Sequence, residues 1–248
     1  MIHFFKRDTK KSACSLRLPF QTDIHSHILP GIDDGAPDIL TSIQLLKGLY
    51  ELGIRKTITT PHIIADLYRN TNVTIKVALD QLQLACANEN MDITISAAAE
   101  YMLDEYFVNL LNHNIPLLCI YKNLVLTELS YATSSENLNE ISFAMLSNGY
   151  QPILAHPERY VYYHNDYSNY GLLKDIGFLF QVNVLSLTGY YGRSVAKVSK
   201  YLFDNDLVDF VGTDLHHIRH LEMLQKKESL VMINKYIGKK MYNQFNDF

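Results

Sequence analysis

The chain has 248 residues, which suits one large domain or two small ones, and 48% of them are hydrophobic, enough for a sizeable core. Its formal net charge of −4 gives no general attraction to nucleic acid or acidic membranes. The three scattered cysteines exclude a disulfide framework and favour a reducing cytoplasm, and no stretch approaches the ~20 apolar residues of a membrane span.

Residues 1–20 are basic, lack the apolar core of a secretory signal and are expected to be a leader before a single domain at 21–248. In that domain, seven apolar or β-branched segments are predicted strands, and helical spacing of apolar residues follows each. The predicted strands are 20–27, 54–60, 93–99, 124–129, 152–155, 178–184 and 208–212. The predicted helices are 37–53, 73–87 (with Val73, Val77 and Leu84 on one face), 103–111, 136–147, 170–176, 194–204 and one from near residue 220.

Residue types that bind metals recur at the carboxyl ends of these strands. The alternation of strands and helices predicts a parallel sheet, either closed as a barrel or open and doubly wound. In both folds the active site lies at the carboxyl ends of the strands. Six of the seven predicted strands carry His, Asp or Glu there, and the sixth strand carries the amides Gln181 and Asn183. The pattern predicts a metal site, because ligands distributed by chance would also fall in helices and at strand starts.

The first strand ends in a His-x-His motif. His25 and His27 lie one residue apart, so the alternation of side chains along a strand directs both imidazoles to one side, where they can reach one ion. Asp33 and Asp34 follow in a turn-rich loop, where aspartate is also common as a helix cap. One of these two aspartates is expected to serve only as a cap.

Two glutamates lie in or at the end of apolar strands. Glu100 and Glu128 are costly to bury unless they are paired, hydrogen-bonded or bound to a metal. Pairing with Lys or Arg is the alternative, but the expected neighbouring histidines make a metal the more economical partner. His62 follows the second strand and, taken alone, is equally compatible with an ordinary loop histidine.

The fifth and seventh strands end in further candidates. His156 follows the fifth strand, and Asp214 and His216 repeat the one-residue spacing of the first motif after the seventh. A polar turn is the alternative interpretation of the last pair, and His217 and His220 are expected to belong to such a turn.

Arg159 follows the fifth strand and suits a phosphate dianion, because its guanidinium is planar and always charged. A structural ion pair with Glu158 or another acid is the alternative. Arg219 is a second candidate for a phosphate contact.

Seven tyrosines lie in two predicted loops. They either form an aromatic rim for a ring-bearing substrate or a peptide, or simply cover the top of the fold. They are Tyr160, Tyr162, Tyr163, Tyr167 and Tyr170 in one loop, and Tyr190 and Tyr191 in the other.

The candidate ligands are five histidines, two aspartates and two glutamates. This is too many for one tetrahedral zinc and suits two or three ions of zinc, manganese, iron or magnesium. Such a cluster lowers the pKa of a water and holds the attacking and leaving oxygens in phosphate-ester hydrolysis.

These motifs resemble those of PHP-domain (polymerase and histidinol phosphatase) proteins. They are most similar to the manganese-dependent protein-tyrosine phosphatases of bacterial capsule and exopolysaccharide operons. The resemblance extends over about residues 22–235, and Asp-Asp-Gly at 33–35 with His-Pro-Glu-Arg at 156–159 is typical of this subgroup. The other matching positions are 23–27, 60–62, 100, 128, 155, 160, 181–183 and 214–216.

The resemblance implies a distorted TIM-like (β/α)7 barrel with a trinuclear site. It assigns His25, His27, Glu100 and Asp214 to one ion, a bridging Glu100 with Glu128 and His156 to a second, and Asp34, His62 and His216 to a third. It also implies that Arg159 binds the phosphoryl group and that Tyr160 contacts the substrate. A second family arginine follows the last Asp-x-His motif; Arg219 is the nearest here, at a different spacing.

The implied activity is hydrolysis of phosphotyrosine without a phosphocysteine intermediate. The expected ions are manganese, with iron, zinc or magnesium as alternatives, and the expected partner is the tail of a bacterial tyrosine kinase. Because tyrosinate has a pKa of ~10, its departure needs little or no general acid. Three alternatives stay open: a small-molecule phosphatase acting on a substrate such as histidinol phosphate, a non-catalytic binding module, and an amide or lactone hydrolase.

Overall fold

The computed structural model describes residues 16–135 and 137–245, in which parallel strands alternate with helices. The strands are β1 (Thr22–Asp23), β2 (Lys56–Thr59), β3 (His62–Ile63), β4 (Thr94–Ala97), β5 (Glu100–Met102), β6 (Leu124–Glu128), β7 (Gln151–Ala155), β8 (Leu179–Asn183) and β9 (Phe210–Gly212). The helices are α1 (Ile39–Glu51), α2 (Asn72–Asn88), α3 (Glu105–Asn112), α4 (Leu138–Ser147), α5 (Ser168–Asp175), α6 (Arg193–Asp204), α7 (Ile218–Gln225) and α8 (Lys227–Ile237). Short 3-10 turns occupy Pro157–Arg159, Val161–Tyr163 and Val184–Thr188.

All ladder pairings between these strands are parallel, as predicted. One sheet has the order β1-β2-β4 and the other the order β3-β5-β6-β7-β8-β9. The second and third predicted strands, 54–60 and 93–99, correspond to β2 and β4. After breaks at residues 60–61 and 98–99, each is followed by a short strand that was not predicted, β3 or β5, which belongs to the second sheet. Two segments of the chain, β2 with β3 and β4 with β5, therefore contribute to both sheets. The carboxyl ends of consecutive strands remain neighbours.

Other predicted boundaries also differ from the observed ones. The final helix near residue 220 is two helices, α7 and α8, because an extended Lys226 separates them. Residues 1–15 of the predicted leader at 1–20, with Cys14, and the predicted helix start at Glu136 lie outside the described residues. The end of the predicted leader is described, and its Leu18 and Phe20 are buried in the core of the domain. No helix in the described part of the chain combines the length and apolarity that crossing a membrane requires.

The first strand is shorter than predicted, because the chain beyond Asp23 pairs with the segment after β9 and not with a regular strand. Ser26 forms an isolated parallel bridge with Leu215. The amide of Asp214 donates to the carbonyl of His25 at 2.8 Å, and the amide of His27 donates to the carbonyl of Leu215 at 2.9 Å. The predicted ligands of the first and last strands are thus held side by side by backbone bonds.

Two buried side chains join β1 to β9 below this bridge. Asp23 accepts hydrogen bonds from the amide of Thr213 at 2.9 Å and from its hydroxyl at 2.5 Å. The amide group of Asn243 donates to the carbonyls of Thr22 and Val211 and accepts from the Val211 amide. We call Asp23 and Asn243 with these partners the β1–β9 seam.

The strands bury both faces, as expected for a parallel sheet covered by helices. A large apolar cluster lies between strands and helices. A smaller one is made almost entirely by residues in or beside the strands: Ile24, Ile58, Ala98, Ile120, Leu126, Ile153 and Ala155.

The apolar face noted in the sequence of α2 is not the face that packs. Val73, Val77 and Leu84 are exposed. The opposite side of the helix packs into the core. It carries a second apolar row of nearly the same hydrophobicity, so the sequence pattern does not distinguish the two faces. That row is Ile75, Ala78, Leu82 and Cys86.

We expect Asn243→Ala to lower the free energy of unfolding by about 2–4 kcal/mol. The variant leaves the buried Val211 amide without its acceptor and places alanine at a positive φ of 55°, where asparagine is better tolerated. Urea unfolding followed by circular dichroism measures the change. Asn205→Ala is the control, because Asn205 makes one exposed hydrogen bond to the Tyr201 carbonyl. Equal stabilities for the two variants would show that the seam contributes little.

Candidate metal centre

The nine predicted ligands lie together at the carboxyl ends of the strands. Each belongs to at least one group of three or four side chains whose ligand atoms lie within 4.8 Å of one another. All except Asp34 and His216 are buried, and the Asp34 side chain is 52% exposed. The nine are His25, His27, Asp34, His62, Glu100, Glu128, His156, Asp214 and His216.

Four of these side chains converge on one point. Nε2 of His25 lies 3.2 Å from Nε2 of His27, 3.2 Å from Oε2 of Glu100 and 3.3 Å from Oδ1 of Asp214. Nε2 of His27 lies 3.3 Å from the same Glu100 oxygen. Ligand atoms at 2.0–2.1 Å from a tetrahedral ion lie about 3.3–3.4 Å apart, so the spacing of His25, His27 and Glu100 fits a common ion. Asp214 contacts His25 and His27 but is grouped with His25 and His156.

A second group lies nearer the solvent. Oδ1 of Asp34 is 3.5 Å from Nε2 of His62 and 3.6 Å from Nε2 of His216. The ring of His27 stacks on that of His216 with centroids 3.9 Å apart and belongs to the same group. The structure therefore brings together the three side chains that the family resemblance assigns to a third ion.

The assignment for the middle of the site is only partly reproduced. Nε2 of His156 lies 3.0 Å from Oε1 of Glu100, as expected. Glu128, however, is grouped with His62 and Glu100, while His156 is grouped with His25 and Asp214. Glu100 lies in the centre and contacts both sides, which suits a bridging carboxylate.

Three buried polar atoms of the metal centre are close to one another but do not form hydrogen bonds. Nδ1 of His62 lies 2.9 Å from Oε1 of Glu128 and 3.2 Å from Oε2 of Glu100, but without hydrogen-bond geometry. These three buried atoms have no hydrogen-bond partner in the described part of the chain. Burial without a partner costs several kcal/mol for a charged group, so the arrangement fits cations that the donor set would hold.

The pKa values of the two glutamates also indicate that the site binds cations. Burial opposes ionisation of Glu100, but His25 and His62 outweigh it and hold its pKa well below the usual range. Burial and the neighbouring Glu100 raise the pKa of Glu128. Two carboxylates forced together in a buried site are stabilised by bound cations, which relieve both desolvation and repulsion.

Asp33 is neither a ligand nor a helix cap. The cap of α1 is Asp38, whose side chain accepts from the Thr41 amide. Asp33 instead accepts from Nδ1 of His27 at 2.8 Å, and although burial opposes it, the His27 contact lowers the pKa of Asp33 to about 2. This bond leaves Nε2 of His27 free for a metal, an arrangement typical of metal-binding histidines.

Gln181 has the corresponding role for His25. Its side-chain oxygen lies 2.6 Å from Nδ1 of His25, and its nitrogen donates to Asn183. Asn183 in turn donates to Oδ2 of Asp214 at 2.6 Å. A Cβ at Gly212 would lie 2.7 Å from the Cβ of His25, so only glycine allows this close approach. The two amides noted on the sixth predicted strand thus contact and orient candidate ligands.

Two ligand residues have left-handed backbones. His156 has φ of 37° and Asp214 has φ of 50°. Such conformations cost about 1–3 kcal/mol in residues other than glycine and cluster at functional sites. They turn the chain sharply at the ends of β7 and β9.

Arg159 lies beside the metal ligands and not on Glu158. Its Nη1 donates to Oδ2 of Asp214 at 2.9 Å, and its guanidinium lies 4.9 Å from the ring centre of Tyr131 and 4.5 Å from that of Tyr191. Glu158 accepts instead from the Asn183 amide and the Ser186 hydroxyl. The expected pairing with Glu158 is therefore wrong, and the acid that pairs with Arg159 is Asp214.

A cavity of about 440 Å³ opens above the ligands. Arg159 is the only Lys or Arg among its described lining residues. Its aromatic walls are Tyr68, Tyr131 and Tyr191, and its rim includes His217 and His220. The cavity therefore presents one fixed positive charge between aromatic rings and the ligand cluster.

Two expected substrate contacts are not reproduced. Tyr160 is fully buried, and its hydroxyl accepts from the Leu129 amide and donates to the Ala155 carbonyl. Arg219 is exposed and does not line the cavity, because its place in the first turn of α7 directs it outward.

The seven loop tyrosines divide between the two interpretations. Tyr163 and Tyr170 are buried with Tyr160, whereas Tyr191 lines the cavity. His217 and His220, expected only in a turn, also lie at the cavity. No periodicity marks such loop positions in the sequence.

Asn70 is a further residue that the sequence did not indicate. Its buried side chain donates to the carbonyl of Ile32 at 2.8 Å and to that of His62 at 2.9 Å. It thereby ties the loop that carries Asp33 and Asp34 to the backbone of another ligand. Thr74, in the first turn of α2, donates to the Asn70 oxygen.

We expect Asn70→Ala to weaken binding of the most loosely held ion by about 10–100-fold, as is usual for residues that orient ligands. Metal content after dialysis against graded chelator concentrations measures this. The matched control is Asn88→Ala, at the exposed end of α2. Identical metal retention in two equally folded variants would contradict the assigned role.

The comparisons with known proteins agree with this geometry. A family model for capsular polysaccharide synthesis, CpsB/CapC, matches residues 21–246. The tyrosine-protein phosphatase YwqE of Bacillus subtilis (strain 168) is 28% identical over 220 residues, covering 88% of this chain and 86% of the relative. The tyrosine-protein phosphatase CpsB of Streptococcus pneumoniae is 28% identical over 232 residues, covering 91% and 95%.

This chain is also similar to a solved structure. That structure was described with YwqE of Bacillus subtilis and CpsB of Streptococcus pneumoniae, as metal-dependent tyrosine phosphatases. It is 28% identical, covers 88% of each chain and has a TM-score of 0.79. Since the family model spans nearly all of the sequence, the chain belongs to the CpsB/CapC family of capsular polysaccharide synthesis.

Proposed function

We propose that this chain is a metal-dependent phosphatase that hydrolyses phosphotyrosine in proteins. The observation that carries the proposal is Arg159, a guanidinium held beside a nine-residue ligand cluster and facing the same cavity. A cavity that combines an arginine with divalent-cation ligands suits a phosphate ester. The names of the curated relatives support the same activity.

The nine clustered side chains are proposed to hold two or three divalent ions. The donors are nitrogen and oxygen only, which suits manganese, with iron, zinc or magnesium as alternatives. When bound, these ions supply positive charge to the phosphoryl oxygens and lower the pKa of a nucleophilic water. Asp33 and Gln181 keep the Nε2 atoms of His27 and His25 directed at the ions.

Arg159 is proposed to bind the phosphoryl oxygens. Its Nη1 is occupied by Asp214, so its remaining N–H groups are free to face the cavity. Tyr131 and Tyr191 contact its guanidinium and fix its plane. Because the arginine is oriented before the substrate arrives, it stabilises transition-state charge without reorganising.

The aromatic walls are proposed to select a phosphorylated ring over an aliphatic phosphate ester. Tyr68 stacks on His62 with ring centroids 5.6 Å apart, and Tyr131 stacks on His156 at 5.7 Å. Both rings line the cavity beside the ligand cluster, where an aromatic leaving group can pack against them. The departing tyrosinate needs little protonation, because its pKa is ~10.

The finer features of the fold and its setting are also proposals. The strands are proposed to close into a distorted TIM-like barrel of seven βα units, supported by the β1–β9 seam and the Ser26–Leu215 bridge. One domain at 21–248 is proposed from the unbroken alternation of strands and helices, and a cytoplasmic location from the scattered cysteines. A bacterial tyrosine kinase as substrate follows from the family resemblance.

Turnover of phosphotyrosine peptides and of histidinol phosphate by the manganese-loaded protein tests the proposed activity. We expect the peptides to be hydrolysed with much the higher kcat/KM. Negligible peptide turnover alongside rapid histidinol phosphate hydrolysis would establish the small-molecule alternative instead.

We expect Arg159→Ala to reduce kcat/KM for phosphotyrosine about 10²–10³-fold, the usual effect of removing one transition-state donor. Arg159→Lys should recover only part of this loss, because an ammonium cannot reproduce the planar, stacked contact. Arg219→Ala is the matched control and should retain near-normal rates. If Arg159→Ala were harmless, phosphate binding at this position would be refuted and amide or lactone hydrolysis would gain support.

Removal of metal with a chelator should abolish activity, and readdition should restore it. Manganese is expected to restore the highest rate among manganese, iron, zinc and magnesium. Elemental analysis during the titration gives the stoichiometry, for which we expect two or three ions per chain. Full activity in a metal-free sample would overturn the proposed mechanism.

A further inference from the structure

A second cavity adjoins the metal centre on one side. It has a volume of about 810 Å³ and shares Ile64, Leu67 and Met102 with the cavity above the ligands. The two spaces therefore meet at these three side chains. We call the second space the side groove; its other walls come from residues 65–66, the start of α3 and the loop after β6.

The side groove has an apolar floor. Leu103 and Leu129 are buried beneath it, and Met102 lies half-buried at its junction with the metal centre. Leu67 stands at the same junction with 72% of its surface exposed. It lies in the tight turn between Ile64 and Tyr68, whose backbones form an antiparallel bridge, so it is held in place without being covered.

One wall of the side groove is acidic. Asp66, Asp104 and Glu105 line it, and none of its described lining residues is Lys or Arg. Asp104 is committed to the amides of Ala65 and Phe107. Asp66 lies 3.9 Å from Arg69 in a fully exposed and therefore weak pair, while Glu105 begins α3 facing solvent. The described lining of the groove thus carries three carboxylates and no basic side chain.

We propose that the side groove receives the polypeptide segment next to the substrate phosphotyrosine, and that it favours an apolar residue followed by lysine or arginine. This inference rests on the proposed function, since a phosphotyrosine seated on Arg159 belongs to a chain that must leave the cavity. The shared side chains make the side groove a continuous path for that chain. Its floor matches an apolar side chain, and its acidic wall matches a basic one and repels polyanions.

Kinetics of the metal-loaded protein on matched phosphotyrosine peptides test this inference. The peptides have equal length, an apolar residue beside the phosphotyrosine, and either lysine or glutamate beyond it, placed on the amino or the carboxyl side. We expect the lysine peptide to have about 5-fold higher kcat/KM on one of the two sides, consistent with exposed charge pairs. The preference should shrink in 0.5 M salt, because exposed charges are screened.

The double variant Asp66→Lys with Glu105→Lys should reverse the preference. Glu228→Lys is the matched control, because Glu228 also lies in the first turn of a helix but lines neither cavity, and it should keep the original preference. A small aryl phosphate is assayed in parallel. Turnover of that compound with equal rates for lysine and glutamate peptides on both sides would overturn the side-groove inference alone. No turnover of any phosphotyrosine compound with any of the metals would overturn the proposed function and this inference with it.

Discussion

The contact between Asp214 and Arg159 joins the ligand cluster to the arginine that faces the cavity. One carboxylate oxygen of Asp214 faces His25 and His216, while the other accepts from Arg159 and Asn183. His25, His216 and Arg159 hold the pKa of Asp214 far below its usual range despite complete burial. The position of the arginine is therefore set by the same carboxylate that belongs to the ligand cluster.

The contact between Asp214 and Arg159 also depends on parts of the chain outside the ligand cluster. Asp214 is placed by a left-handed turn after β9, by its amide bond to His25 and by the β1–β9 seam beneath it. Residues almost two hundred positions apart in sequence are thereby brought within hydrogen-bonding distance. The local order of the ligands is then a consequence of strand pairing and not of side-chain contacts alone.

The sequence indicated which nine side chains lie together, because their signals are local. His25 and His27 lie two apart on extended chain, and the rule that parallel strands end at one edge needs no tertiary detail. The partners that orient them were not predictable in role, since Gln181 lies 156 residues from His25. Loop positions carry no periodicity, so the sequence indicates Tyr191 only as one of seven candidates and does not indicate Tyr131, although both line the cavity. In α2, two apolar rows of similar strength gave no basis for choosing the packed one.

The β1–β9 seam bears on the order in which the elements follow one another along the chain. Because Asn243 bonds the backbone of Thr22, the first strand and the last described segment meet at one place, away from the cavity. Because residues 22 and 243 adjoin in this way, the pairing of the strands does not depend on which strand comes first in the chain. A rotated order of the described elements, with residues 22 and 243 joined and the cut moved to an exposed loop, would leave every strand beside the same neighbours.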